Sequence, residues 1–227
     1  MSTVVTGNTG DDGLLYDRMV PEGSGDGATV AILLHGRGSH KGDLQALAPV
    51  LPSDWALVTP QAPNPGAAWG YGAGWAWYRY VEEDRVVPET LEASLDRLDA
   101  FLDAVPGIVG FQPGRMVLGG FSQGGTSSLA YALTRPGRVA AAWNFSGFLA
   151  ESVNVPSGEA TANATPVFWG HGIQDPNIPF HLATRGRGAL QAAGIPLVAL
   201  DYPIGHWMVP EEIHEAVAML GGGASKA

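Results

Sequence analysis

The chain has 227 residues, of which 45% are hydrophobic and only 15% charged. That suffices for one large domain with a buried core, is too short for two ordinary α/β domains, and is the wrong composition for a disordered protein. A formal net charge of -10 with only two lysines, Lys41 and Lys226, excludes a broad basic surface for nucleic acid or for stable association with an anionic membrane, and the absence of cysteine excludes disulfides, thiolate metal sites and a cysteine nucleophile.

Met1 to Asp12 has neither a basic start nor an apolar segment, so no signal peptide is expected and the expected location is cytoplasmic. Residues 1–13 and 221–227 are small, polar or Gly-rich and are expected to be flexible ends around a single domain spanning 14–220. Leu14 to Val20 reads as an edge strand. Ala28 to His35 is continuously apolar and rich in branched residues, as suits a strand covered on both faces of a parallel sheet. Asp43 is placed to cap a helix reaching about Leu51, and Trp55 to Thr59 is the next apolar run. Pro60 to Tyr80 is a Pro- and Gly-rich loop carrying Trp69, Tyr71, Trp75, Trp77, Tyr78 and Tyr80; so long an irregular segment in a compact domain points to a role in function.

The spacing of Leu91, Leu95, Leu98, Phe101 and Leu102 predicts a helix over 87–104. Strands are expected over 116–119, 139–145, 166–171 and 195–202, with helices over 126–134, 180–193 and 210–220. Strands alternating with helices along the whole chain imply right-handed crossovers and a mostly parallel, doubly wound α/β sheet, with functional groups at the carboxyl ends of its strands.

Between the strand ending at Gly119 and the helix from Thr126 stands Gly120-Phe121-Ser122-Gln123-Gly124-Gly125. A Gly-x-Ser-x-Gly at a strand-to-helix junction is the context of a nucleophile elbow, in which the serine occupies a strained position and the flanking glycines let strand and helix pass closely. A serine hydroxyl needs a base to take its proton and a carboxylate to orient that base. Two later strand ends supply them: Asp175 follows the strand ending at His171, and His206 follows the strand ending at Tyr202. Oxyanion donors are expected from the main-chain amides of Gln123, next to the nucleophile, and of Arg37, in the glycine-flanked loop after the first buried strand. No metal site is expected, because His35, His171 and His206 lack close ligand spacing.

Taken together, Leu34-His35-Gly36-x-Gly38, Pro60-Gln61-Ala62-Pro63, Trp77-Tyr78, the elbow, His171-Gly172-x-x-Asp175-Pro176-x-x-Pro179 and Gly205-His206 followed by Pro210-Glu211-Glu212 resemble the phospholipase/carboxylesterase family of α/β-hydrolases, which includes acyl-protein thioesterases and small bacterial carboxylesterases. The resemblance implies an α/β-hydrolase fold without a separate cap domain, a triad at Ser122, Asp175 and His206, oxyanion amides at Arg37 and Gln123, and no cofactor. The chain departs from the pattern at Arg37, where the eukaryotic thioesterases carry an apolar residue, and at Trp207, where a smaller one is common. The expected activity is hydrolysis of short- to medium-chain carboxylic esters through an acyl-enzyme, in a shallow site lined by Trp77, Tyr78, Phe148, Leu149, Ile178 and Trp207. An acyl thioesterase or lysophospholipase acting on longer chains is the alternative, followed by a non-catalytic relative that binds a small ligand. The expected partner is a small-molecule ester, and a homodimer is left open.

Overall fold

The computed structural model describes residues 3–10 and 13–221. Among the described residues the chain forms twelve strands: β1 (Val5–Asn8), β2 (Leu15–Met19), β3 (Thr29–Leu34), β4 (Ala56–Pro60), β5 (Asn64–Pro65), β6 (Trp75–Ala76), β7 (Tyr80–Glu82), β8 (Arg85–Val86), β9 (Arg115–Phe121), β10 (Ala141–Phe145), β11 (Val167–Gly172) and β12 (Leu197–Tyr202). Eight of them form one sheet in the order β1-β2-β4-β3-β9-β10-β11-β12, while β5-β6 and β7-β8 are separate two-stranded ribbons. From β4 to β12 in that order every pairing is parallel, while β2 pairs antiparallel with both β1 and β4 and so is the one strand of this sheet that runs against the others.

The continuous apolar run of β3 serves both faces of this sheet. Val30, Ile32 and Leu34 join the core beneath α1 (Pro88–Val109), α2 (Gln123–Thr134) and α3 (Phe180–Ala192). Ala31 and Leu33 face the opposite core, shared with Leu44 and with Ile213 of α4 (Pro210–Ala218). Alternation at a period of two in a strand with no polar side is what covering both faces requires. The chain thus folds as an α/β-hydrolase, and among the described residues no helix is long and apolar enough to cross a membrane.

Three expectations are corrected. Val5–Asn8, placed by sequence in a flexible end, pairs antiparallel with β2 from Val5 opposite Arg18 to Asn8 opposite Leu15, so that β1 takes the edge and β2 lies inside it; residues 222–227, the bulk of the other expected flexible end, lie outside the described residues. Helix α1 runs five residues past Ala104 and through Pro106, ending at left-handed Gly110, φ 84°. Burial of Val105, Ile108 and Val109 offsets the ~3 kcal/mol that an interior proline costs. Finally, Asp43 does not cap an α-helix: Asp43–Val50 is a 3-10 helix without a side-chain cap, and the Asp43 carboxylate accepts instead from Ser39 Oγ at 2.7 Å.

Candidate active site

Strand β9 leads straight into α2 through Ser122, whose φ of 55° and ψ of -114° place a non-glycine residue in strained backbone. The strain is held from both sides, since the Ser122 amide donates to Phe145 O at 2.8 Å and its carbonyl accepts from Thr126 N at 3.0 Å. The neighbours must be glycine: a Cβ on Gly120 would stand 2.6 Å from Leu34 O, and one on Gly124 would fall well inside 3.0 Å of the Leu34 carbonyl. The sequence expectation of a helix from Thr126 is corrected by one turn, because α2 starts at Gln123, immediately after the serine.

Asp175 is buried in the turn after β11. Its Oδ2 accepts from His206 Nδ1 at 2.6 Å, and its Oδ1 accepts from the amides of Asn177 and Ile178 at 2.8 and 2.9 Å. Burial alone would raise its pKa, but the His206 bond and the two amides outweigh burial and hold the carboxyl below the usual range. With Nδ1–H donating to the carboxylate, the other ring nitrogen of His206, Nε2, is left as the basic one. The His206 ring is also seated against Phe121, 4.7 Å between centroids. Behind it, buried His171 donates Nε2–H to Ile178 O at 2.9 Å, and burial lowers its pKa, so it serves as a neutral strut for the Asp175 turn.

Ser122 and His206 line one cavity of about 360 Å³ with Gly36, Arg37, Ser39, Asp43, Tyr78, Tyr80, Phe121, Gln123, Phe148, Asn177 and Ile178. Among the hydrogen bonds of the described residues, the main-chain N–H groups of Arg37 and Gln123 have no acceptor, the condition required of donors kept for a developing oxyanion. Their loops are tied together. The buried His35 ring donates Nδ1–H to Gly36 O at 2.7 Å and accepts at Nε2 from Ala62 N at 3.0 Å, so the two motifs around His35 and Pro60 meet in one imidazole. Burial pushes its pKa down to about 4, which keeps it neutral in that role. The Gln123 side chain accepts from Trp77 N at 2.8 Å and donates to Tyr78 O at 2.7 Å, pinning the aromatic loop to the elbow.

Of the residues expected to line the site, Tyr78, Phe148 and Ile178 do. Trp77 does not: it is fully buried, with Nε1–H donating to His35 O at 2.9 Å. Leu149 packs against the core, and Trp207 stands 72% exposed, outside the cavity wall. Tyr80, Ser39, Asp43 and Asn177 were not anticipated. Alternation could have flagged Tyr80, two residues from Tyr78 on the same stretch.

Glu212 of α4 is a further unanticipated feature. Fully buried, its carboxyl fills the space that a Cβ on Gly170 of β11 would occupy, and neither oxygen has a hydrogen-bond partner. Burial pushes its pKa from 4.5 up to about 8, against smaller opposing effects from the nearby Val209 main chain and the Arg187 charge. An acid with a raised native pKa stabilises the fold below its unfolded pKa, and that stabilisation is lost as pH rises through the native one. Stability should therefore fall by up to about 5 kcal/mol between pH 4.5 and 8 on this account. Glu212→Gln should flatten that slope in urea melts taken across the window, and an unchanged slope would refute it.

A strained serine after a parallel strand, an Asp–His pair at two later strand ends and a shared cavity define a protein of the serine-hydrolase type on an α/β-hydrolase fold. The family model described as Phospholipase/Carboxylesterase matches residues 17–220, and the chain belongs to that family of ester-cleaving enzymes. It is 36% identical to acyl-protein thioesterase 1 of Gibberella zeae over 115 residues, a stretch spanning about half (49%) of either chain. To acyl-protein thioesterase 1 of Kluyveromyces lactis it is 32% identical over 170 residues, 70% of this chain and 74% of that one. The crystal structure of acyl-protein thioesterase 2 from Zea mays superposes with a TM-score of 0.73 at 25% identity, covering 91% of this chain and 97% of the maize chain.

Proposed function

We propose that the protein hydrolyses short- to medium-chain carboxylic esters by acyl transfer to Ser122. The observation that carries the reading is the Asp175–His206 bond of 2.6 Å, with the histidine and the strained serine facing one cavity. His206 Nε2 takes the hydroxyl proton as Ser122 Oγ attacks the ester carbonyl, and the amides of Arg37 and Gln123 hold the oxyanion. His206 then gives the proton to the leaving alcohol, and water activated by the same nitrogen releases the acid. A cavity of about 360 Å³ walled by Tyr78, Tyr80, Phe148 and Ile178 suits an acyl group of a few carbons. A second reading, thioester hydrolysis on longer acyl chains, is favoured by the names of the relatives and by the exposed indole of Trp207 beside His206, against which a protruding chain could lie.

Three measurements test this. A fluorophosphonate probe should label the protein stoichiometrically on the peptide carrying Ser122; label elsewhere, or none, would overturn the reading. A p-nitrophenyl ester series from acetate to palmitate, paired with matching thioesters, should peak at short oxygen esters, whereas a maximum at long thioesters selects the second reading. Asp175→Asn should lower kcat by about four orders of magnitude, because an amide in that place no longer selects the histidine tautomer with Nε2 free. Single-turnover kinetics on p-nitrophenyl butyrate would measure it.

A further inference from the structure

The guanidinium of Arg37 lies over the ring of Tyr71, 5.0 Å to its centroid, and over that of Tyr80 at 5.5 Å. Lys41, Arg85, Arg135, Arg138, Arg185 and Arg187 each take a carboxylate partner. Arg37 takes none among the described residues, in a chain whose 22 acids outnumber its 12 lysines and arginines. Two aromatic faces occupy the π side of the guanidinium and leave its N–H edge free to donate in plane, the geometry that matches a carboxylate or a phosphate.

The platform is built rather than incidental. Tyr71 OH accepts from Tyr80 N at 2.8 Å, which fixes the two rings relative to each other. Gly38, at φ 75°, passes so near that a Cβ on it would stand 2.6 Å from Tyr71 O. The Gly38 amide donates to Trp75 O and the Trp75 amide to Ser39 O, each at 2.8 Å. The aromatic loop is therefore clamped to the segment that carries Arg37, and Arg37 and Tyr80 both line the cavity that holds Ser122 and His206. Asp43 is the only carboxylate on that wall, and it is engaged by Ser39 Oγ at 2.7 Å.

Resting on the ester-hydrolase reading above, we infer that Arg37, seated on Tyr71 and Tyr80, selects esters that carry an anionic group, a carboxylate or a phosphate, close to the scissile bond. The carboxylate arm of the test compares the p-nitrophenyl hemiester of glutaric acid with its neutral methyl ester. The phosphate arm compares the butyryl ester of glycerol 3-phosphate with that of glycerol. Within each pair the ratio of kcat/KM, anionic over neutral, is the readout, so that any effect of a substitution on the overall rate cancels.

The wild-type protein should favour the anion by about tenfold to a hundredfold in at least one arm, mainly through KM, and the arm that responds identifies the anion. Arg37→Met should bring the ratio to one or below, Arg37→Lys should restore part of it, and added salt should reduce it. Neutral esters cleaved with no anion preference in either arm would overturn the inference and leave the ester-hydrolase reading standing, as would a preference that survives Arg37→Met. If no ester of either kind is cleaved, the hydrolase reading fails and this one with it.

Discussion

Ser122→Ala should lower kcat/KM for p-nitrophenyl butyrate by four to six orders of magnitude, roughly 5–8 kcal/mol of transition-state stabilisation. On the proposed mechanism this variant loses the nucleophile but keeps the oxyanion amides and the cavity, so a rate still above that of water is expected. Ser122 is held in its strained conformation by main-chain bonds to Phe145 and Thr126 that alanine retains, and the thermal midpoint should move by only a few degrees. A variant keeping more than a tenth of the activity would place the nucleophile elsewhere.

Gly124→Ala should prevent the domain from folding stably. Within a helix, alanine normally improves on glycine by about 1 kcal/mol. At this position the methyl would sit inside 3.0 Å of the Leu34 carbonyl and of His35 O, and backbone on two packed elements cannot yield as a side chain can. The expected loss exceeds ~4 kcal/mol, most of the stability of an ordinary domain. Gly107→Ala is the internal control, because an added Cβ there meets nothing within 4 Å on the exposed side of α1 and should stabilise by ~0.5–1 kcal/mol. Paired urea melts decide it: equal effects at the two positions would mean that the close approach of β9, α2 and the loop after β3 is not what demands glycine.

The parts of this fold that could be read ahead of the structure are those whose cause is local. The branched run of β3 announces a strand buried on both faces, the apolar run of β4 announces a strand, and Gly120, Ser122 and Gly124 announce a sharp junction. That Asp175 and His206 meet was legible because a parallel sheet delivers its strand ends to one rim. Strand β1 escaped because Val5–Asn8 is four largely exposed residues whose only warrant is the register of its neighbour β2. The extension of α1 past Pro106 escaped because the burial that offsets the proline comes from tertiary packing. Within the aromatic loop, Trp77 and Tyr78 are adjacent in sequence yet only Tyr78 reaches the cavity, and no periodicity in so irregular a segment separates the two. Glu212 gave no chemical signal of its own; a glutamate in a first helical turn reads as a dipole partner, and only Gly170 opposite it reveals a buried acid.

The double tie from the Gln123 side chain to Trp77 N and Tyr78 O bears on how such an enzyme can diversify. On the proposed mechanism, the residue whose amide would hold the oxyanion also braces the cavity wall through its side chain, so recognition and rate would not be separable modules. Exchanging the whole stretch from Gly66 to Tyr80 for that of a relative would change selectivity only at a cost in turnover. Swaps that keep Trp77 and Tyr78 and vary Gly66 to Gly74 would escape that penalty, and a directed library should yield its new specificities there.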